Sequence, residues 1–400
     1  MRKFLFLSAA SAASLMVAQP ALAEPWVRSF VVESYEPAFY YGGTATADGP
    51  GSDCPQGNVP DLFINTDYVV PPGAPPGTRP KKSIAQRGFD PRINTYANPF
   101  AAIDEGMQEV TGTIGVGFDL DNNPKTGFTS PEGVMGIDNN LYKSVGCTMS
   151  WRGLPGRPQL AEISNGQMRS GLYTFVIRVS GNQSPENDSD AVVELGYAPD
   201  PIQVSGTNGV LAGASYRIAK NERYSRLPVT IRNGVIETKG AQDIRMPDHA
   251  YCEAERGENH LHKGRLRLEM SPKDGTLKGL IGGYRDWVYL YVKDSYQAPC
   301  NAPSTRETLQ FQNQIGLYYS LQRNADGVPD PETGRNKGIS TAYRITAQHA
   351  HVVDTPEPVL VSDPSPPDIE RRVQQARVLQ KLTTDAILTK RLAAIPANAR

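Results

Sequence analysis

The sequence predicts a mainly β protein: an antiparallel sandwich or jelly-roll-like domain with one helical insertion and a C-terminal helix. Three observations carry that prediction. Short apolar runs, several of them alternating, recur from Trp26 to about Thr346 with turn residues between them. Glycine (37) and proline (33) are both above average usage, as many short strands joined by turns require. Asn233-Gly234 separates two strand-like runs, and that dipeptide supplies the two positive φ values of a type I′ hairpin turn.

In chain order, strands are expected at 26–32 and 61–70, followed by the proline-rich run 71–77, which reads as an extended connector. Val110 to Phe118 alternates strictly and predicts a half-buried strand. Two more strands are expected at 172–179 and 191–195, on either side of a polar tip. Hairpins follow at 227–238 and 265–281, and the next strand is placed at 287–292. Ser304-Thr305-Arg306-Glu307 is a capping box with Phe311, Ile315, Tyr318 and Tyr319 at helical spacing after it, so a helical insertion is placed near 305–323. Pro366 and Asp368 open a last helix whose stripe (Ile369, Val373, Ala376, Leu382, Ala386, Leu392) must be covered by something.

Arg2 and Lys3, the apolar run 4–17 and Ala21-Leu22-Ala23 stand in the order of a secretory signal. The expected organisation is a signal peptide at 1–23, a β-rich domain at 24–353 with a possible division near 205, a proline-rich linker at 354–367 and the helix at 368–400. Export to the periplasm or the extracellular space follows, and the product is a mature protein of roughly 377 residues. No later run approaches the length of a spanning helix, so no transmembrane segment is expected in the mature chain. With 41 basic and 42 acidic residues there is no global field to attract nucleic acid. The four cysteines, Cys54, Cys147, Cys252 and Cys300, are expected to form two disulfides in an oxidising compartment, and three pairings are open.

Chemistry concentrates in two places. After Phe118 the chain reads Asp119-Leu120-Asp121-Asn122-Asn123-Pro124-Lys125-Thr126-Gly127, with Glu132 and Asp138 downstream. Oxygen side chains at alternate positions of a tight loop suit the six to eight oxygen ligands of calcium. The segment is no EF-hand, because Pro124 and Ser130 stand where that loop needs glycine and glutamate. Over residues 119–140 it resembles the calcium loops of secreted β-sandwich modules, including carbohydrate-binding ones. That resemblance implies calcium at Asp119, Asp121 and Asn123, completed by Glu132 or Asp138. The competing reading is an Asx-rich turn held by its own side chains.

The second place is the histidines. Four of the five form His260-Leu261-His262 and His349-Ala350-His351, and i, i+2 residues of a strand share a face, so each pair could offer two imidazoles to a transition metal. The alternative is two unrelated surface pairs. Aromatics cluster at Tyr35, Phe39, Tyr40 and Tyr41 and at Tyr284, Trp287, Tyr289 and Tyr291, which suit either a sugar platform or core packing. No G-x-S-x-G, H-E-x-x-H or P-loop pattern is present. The leading expectation is a calcium-stabilised binding module with a carbohydrate partner. Two alternatives stand beside it: a secreted hydrolase or metalloenzyme using the histidine pairs, and an envelope scaffold that docks a partner protein through its C-terminal helix.

Overall fold

A computed structural model describes residues 25–42, 54, 109–152, 165–171, 173–220, 224–252, 255–287, 290 and 317–354. The signal segment, the 61–70 strand, the proline run, most of the 305–323 insertion, the linker and the C-terminal helix lie outside these residues.

The strands, in chain order, are β1 (Trp26–Pro37), β2 (Phe128–Thr129), β3 (Met135–Ile137), β4 (Thr174–Gly181), β5 (Asp188–Ala198), β6 (Ser215–Ile218) and β7 (Ser225–Arg232). They continue with β8 (Val235–Thr238), β9 (Gln242–Cys252), β10 (Glu255–Met270), β11 (Leu277–Asp286), β12 (Gly327–Pro329) and β13 (Asn336–Asp354). The helices are α1 (Asn140–Val145), α2 (Met149–Arg152) and α3 (Leu317–Asn324). Eight strands pair antiparallel in the order β1-β4-β5-β7-β8-β10-β11-β13, and β13 returns to β1. The result is a closed barrel rather than the expected sandwich or jelly roll.

The correction has a physical reason. Alternating residues mark one buried face, and that pattern is the same for a sandwich core and a barrel interior. What distinguishes them is the pairing of Ser29 with Ala350 and Pro37 with Tyr343, between the two ends of the domain, which leaves β1 bonded on both sides. Closure also needs strongly coiled strands. Gly279 has φ 156°, and a Cβ there would stand 2.1 Å from the Arg267 carbonyl oxygen, so β10 and β11 approach closely at that point.

Strands on both sides of residue 205 belong to this one barrel, β5 pairing directly with β7. The interior is filled by Phe30, Phe175, Ile177, Leu195, Leu268 and Ile345, all buried. Outward positions carry Arg178, Arg226, Arg232, Glu237, Arg267 and Lys278. This apolar-in arrangement is the reverse of a membrane barrel's. Among the described residues no helix is long and apolar enough to cross a membrane.

Two hairpins match the sequence reading. Asn233 (φ 51°) and Gly234 (φ 78°) turn β7 into β8, and Ser271 to Thr276 turns β10 into β11. Two expected strands are not found among the described residues. Residues 110–118 make only isolated bridges, Ile114 to Thr129 and Phe118 to Asp138, because their neighbours are a two-residue and a three-residue strand rather than the barrel. Trp287 and Leu290 are helical, so β11 ends at Asp286.

Against the outer face of β11 and β13 sits a flank built from residues 109–147, α1 and α3. It has its own buried cluster, including Phe128, Leu141, Tyr142, Val145 and Leu321. Asn139 caps α1 by accepting from the Tyr142 amide, and its Nδ2 donates to the carbonyls of Ala38 and Val116. The Asn140 amide donates to Ser340 Oγ at 2.8 Å, which ties α1 to β13. Cys54 and Cys147 are disulfide-bonded, closing a separation of 93 residues. Cys300 lies outside the described residues. Beside the disulfide the fully buried Arg152 donates to the carbonyls of Gly146 (2.8 Å) and Tyr40 (2.7 Å). Its guanidinium also lies 5.1 Å from the Tyr41 ring centroid.

Candidate cation sites

The acidic loop is folded by its own side chains. Asp119 Oδ1 and Asp121 Oδ1 both accept from the Asn123 amide, at 3.1 and 2.8 Å, and Thr126 Oγ1 donates to Asp121 Oδ2 at 3.1 Å. Gly127 (φ 72°) then turns the chain into β2; a Cβ at that position would lie 2.4 Å from the Ile137 carbonyl oxygen. The β2–β3 hairpin carries Asp138 back under the loop, where its Oδ2 accepts from the amides of Leu120 (2.7 Å) and Asp121 (3.2 Å). Each of Asp119, Asp121 and Asp138 thereby offers a carboxylate oxygen, and these oxygens lie within 4.8 Å of one another.

Of the five residues expected to hold calcium, three converge. Asn123 is part of the loop, but its Oδ1 accepts from the Lys125 amide at 3.2 Å. Glu132 is exposed on the next turn, where its amide donates to Ser130 Oγ, and it does not belong to the group.

The electrostatics are those of crowded, part-dehydrated carboxylates. Burial pushes Asp138 up to about 6, two backbone amides oppose that, and the charges of Asp121 and Asp119 add to it. Asp326, which the sequence reading did not assign to the site, is also raised to about 6. Burial is the main cause, Ser340 opposes it and Asp138 adds to it. Ser340 holds Asp326 through its amide (2.8 Å) and hydroxyl (2.6 Å). Only the pairing of β13 with the chain before β12 brings Asp326 near, and no local signal marks it. Its turn repeats the Asx-Pro-x-Thr-Gly pattern of 123–127 at 330–334, and both glycines have positive φ, so the echo reflects shared turn chemistry.

The two histidine pairs lie toward opposite ends of the barrel. His262 is opposite Tyr284 and Tyr284 is opposite Ser340, whereas His349 is nine residues further along β13, about 30 Å at strand rise. A Cβ at Gly275, on the far β10–β11 turn, would lie 3.5 Å from His349 Cβ. The four histidines therefore form no common centre.

His260 and His262 do share a cluster with Asp243. Burial and the charges of His262 and Arg245 hold His260 down at about 4, against the pull of Asp243. His349 and His351 face each other edge-on, with ring centroids 5.2 Å apart.

The aromatic residues that suited either a sugar platform or core packing are, among those described, engaged in packing. Tyr35, Phe39, Tyr284 and Trp287 are buried, and Tyr40 and Tyr41 pack against the flank's cluster. Tyr289 and Tyr291 lie outside the described residues.

No protein-family model, curated protein or solved structure matches this chain. The class is defined by the molecule alone: a closed eight-stranded antiparallel barrel, its strands in chain order, with an acidic loop on a disulfide-bonded flank.

Proposed function

We propose that this chain is an exported, calcium-stabilised binding module in which one calcium ion, held by Asp119, Asp121 and Asp138, ties the acidic loop of the flank to the segment that returns beneath it. The observation that carries the reading is the convergence of three carboxylates from a loop and from the strand that returns beneath it. An Asx-rich turn accounts for Asp119, Asp121 and Asn123, whose side chains accept local amides. That turn does not include Asp138, whose Oδ2 accepts from the Leu120 and Asp121 amides but whose burial beside two other carboxylates still raises its proton affinity. A hard dication offsets that cost, and hard oxygen ligands select calcium over softer metals.

The ion's role is structural. It fixes the turn that leads into β2, and through Asp138 and Asn139 the start of α1, so the flank's outer surface becomes the surface a partner meets. The signal segment supports export, and extracellular modules with such sites hold calcium at about 10⁻⁴ to 10⁻³ M. Tyr35, Phe39, Tyr284 and Trp287 are taken up by core packing and lend no support to a carbohydrate partner. Calorimetric titration tests it: one calcium per chain is expected for the wild type and none for Asp138→Asn. Equal binding by both proteins would overturn the assignment.

A further inference from the structure

The register of β9 and β10 brings together a second cluster of metal-ligating side chains, which the calcium proposal does not use. Ile244 and Leu261 are opposite each other and point into the barrel, so Asp243 and Arg245 on one strand, and His260 and His262 on the other, share the outer face. The pairing shifts between Leu261 and Gly264, where Lys263 takes a left-handed conformation (φ 50°). A bulge of this kind re-aims the side chains beside it.

Asp243 Oδ1 stands 3.4 Å from His262 Nδ1, and Asp243 Oδ2 stands 3.9 Å from His260 Nε2. The two imidazole centroids are 4.1 Å apart. The 3.9 Å separation is too long for a hydrogen bond and the 3.4 Å one is at its limit, so the cluster is not held together by strong bonds of its own. Ligands around a tetrahedral zinc, bonded at about 2.0–2.1 Å, sit roughly 3.3 Å apart. Small side-chain rotations on two paired strands bring these three to that spacing.

We infer that Asp243, His260 and His262 form a binding site for zinc, or a first-row ion of like preference, with a fourth position open to solvent. Two imidazoles and one carboxylate are the donor set of a borderline metal, not of calcium. The histidines are each about one-third exposed and Asp243 more so, so an ion has access and a water can complete the coordination. Arg245 on the same face opposes a dication and keeps the affinity moderate. The molecule supplies an internal control, because among the described residues His349 and His351 have the same spacing without a grouped carboxylate.

The test uses the full mature chain without a histidine tag and zinc as the probe, in competition with a chromophoric chelator. One zinc per chain is expected. His262→Gln and Asp243→Asn should each weaken it at least tenfold, the least that loss of an outer partner of a ligand costs. Asp138→Asn and the pair His349→Ala/His351→Ala should leave it unchanged. Metal-free melts show whether each variant is folded. Zinc raising the wild-type melting temperature while failing to raise that of His260→Ala supports the site independently of His262. The inference is overturned by no zinc binding in the wild type, by equal binding in His262→Gln, or by loss of binding in Asp138→Asn.

Discussion

The barrel and its flank are stabilised by different means. In the barrel, every strand has a hydrogen-bonded neighbour on both sides, and apolar residues from all eight fill the centre. The polar groups inside it, Arg285 donating to Tyr343 Oη at 2.7 Å and Asn259 donating to Tyr35 Oη, sit among buried tyrosines. Among the described residues of the flank, regular structure is sparse: two short strands and helices of six, four and eight residues. There the chain is held by a disulfide, a buried arginine, side-chain caps and a knot of carboxylates. A closed barrel is self-sufficient, whereas a segment with few ladder bonds relies on cross-links and side-chain bonds.

That contrast can be broken by removing one support at a time. The largest effect is expected from the barrel. Phe175→Ala, at a fully buried interior position, should cost about 3–5 kcal/mol and lower the unfolding midpoint of the whole protein in denaturant. A small, local loss would show that the barrel is not the common core. Reducing Cys54–Cys147 comes next, at roughly 2–5 kcal/mol for the closed loop. Amide exchange should then quicken in α1 and around Asp138 while β4 and β5 stay protected, and equal quickening in the barrel would contradict the division. Gly127→Ala puts a Cβ against the Ile137 carbonyl oxygen at positive φ, for about 1–3 kcal/mol, and should weaken calcium binding without touching the barrel.

The smallest effect has the most specific pH dependence. Asp138 and Asp326 are protonated more readily in the folded chain (about 6) than in the unfolded one (3.8), so without an ion their ionisation removes stability as pH rises from about 4 to 6. Calcium binds the ionised carboxylates. Its stabilisation should therefore be full above pH 7 and fade as pH falls through 6, which melts with and without calcium at several pH values would show. An increment independent of pH would mean that the ion sits elsewhere.

Local features were legible in the sequence and long-range ones were not. Asn233-Gly234 specified its turn because the two positive φ values are a property of those residues alone. Asp119 and Asp121 were legible for the same reason, since alternate loop positions converge locally. Asp326 and Asp243 were not, because a strand register brings each to its site. Closure depended on β1 meeting β13 across some three hundred residues, which no window of sequence contains. Of the two residues offered to complete the loop, Asp138 lies beside Asp119 and Asp121, whereas Glu132 is exposed on the turn that carries Ser130 and Gly133 (φ 89°).

Thermal unfolding at pH 7.5 shows whether calcium on Asp119, Asp121 and Asp138 secures the acidic loop of the flank. Calcium at ten times its Kd should stabilise the chelator-treated wild type by about 1.4 kcal/mol, a rise of a few degrees, and should leave Asp138→Asn unmoved. A wild-type melt that is the same in chelator and in calcium would contradict the account.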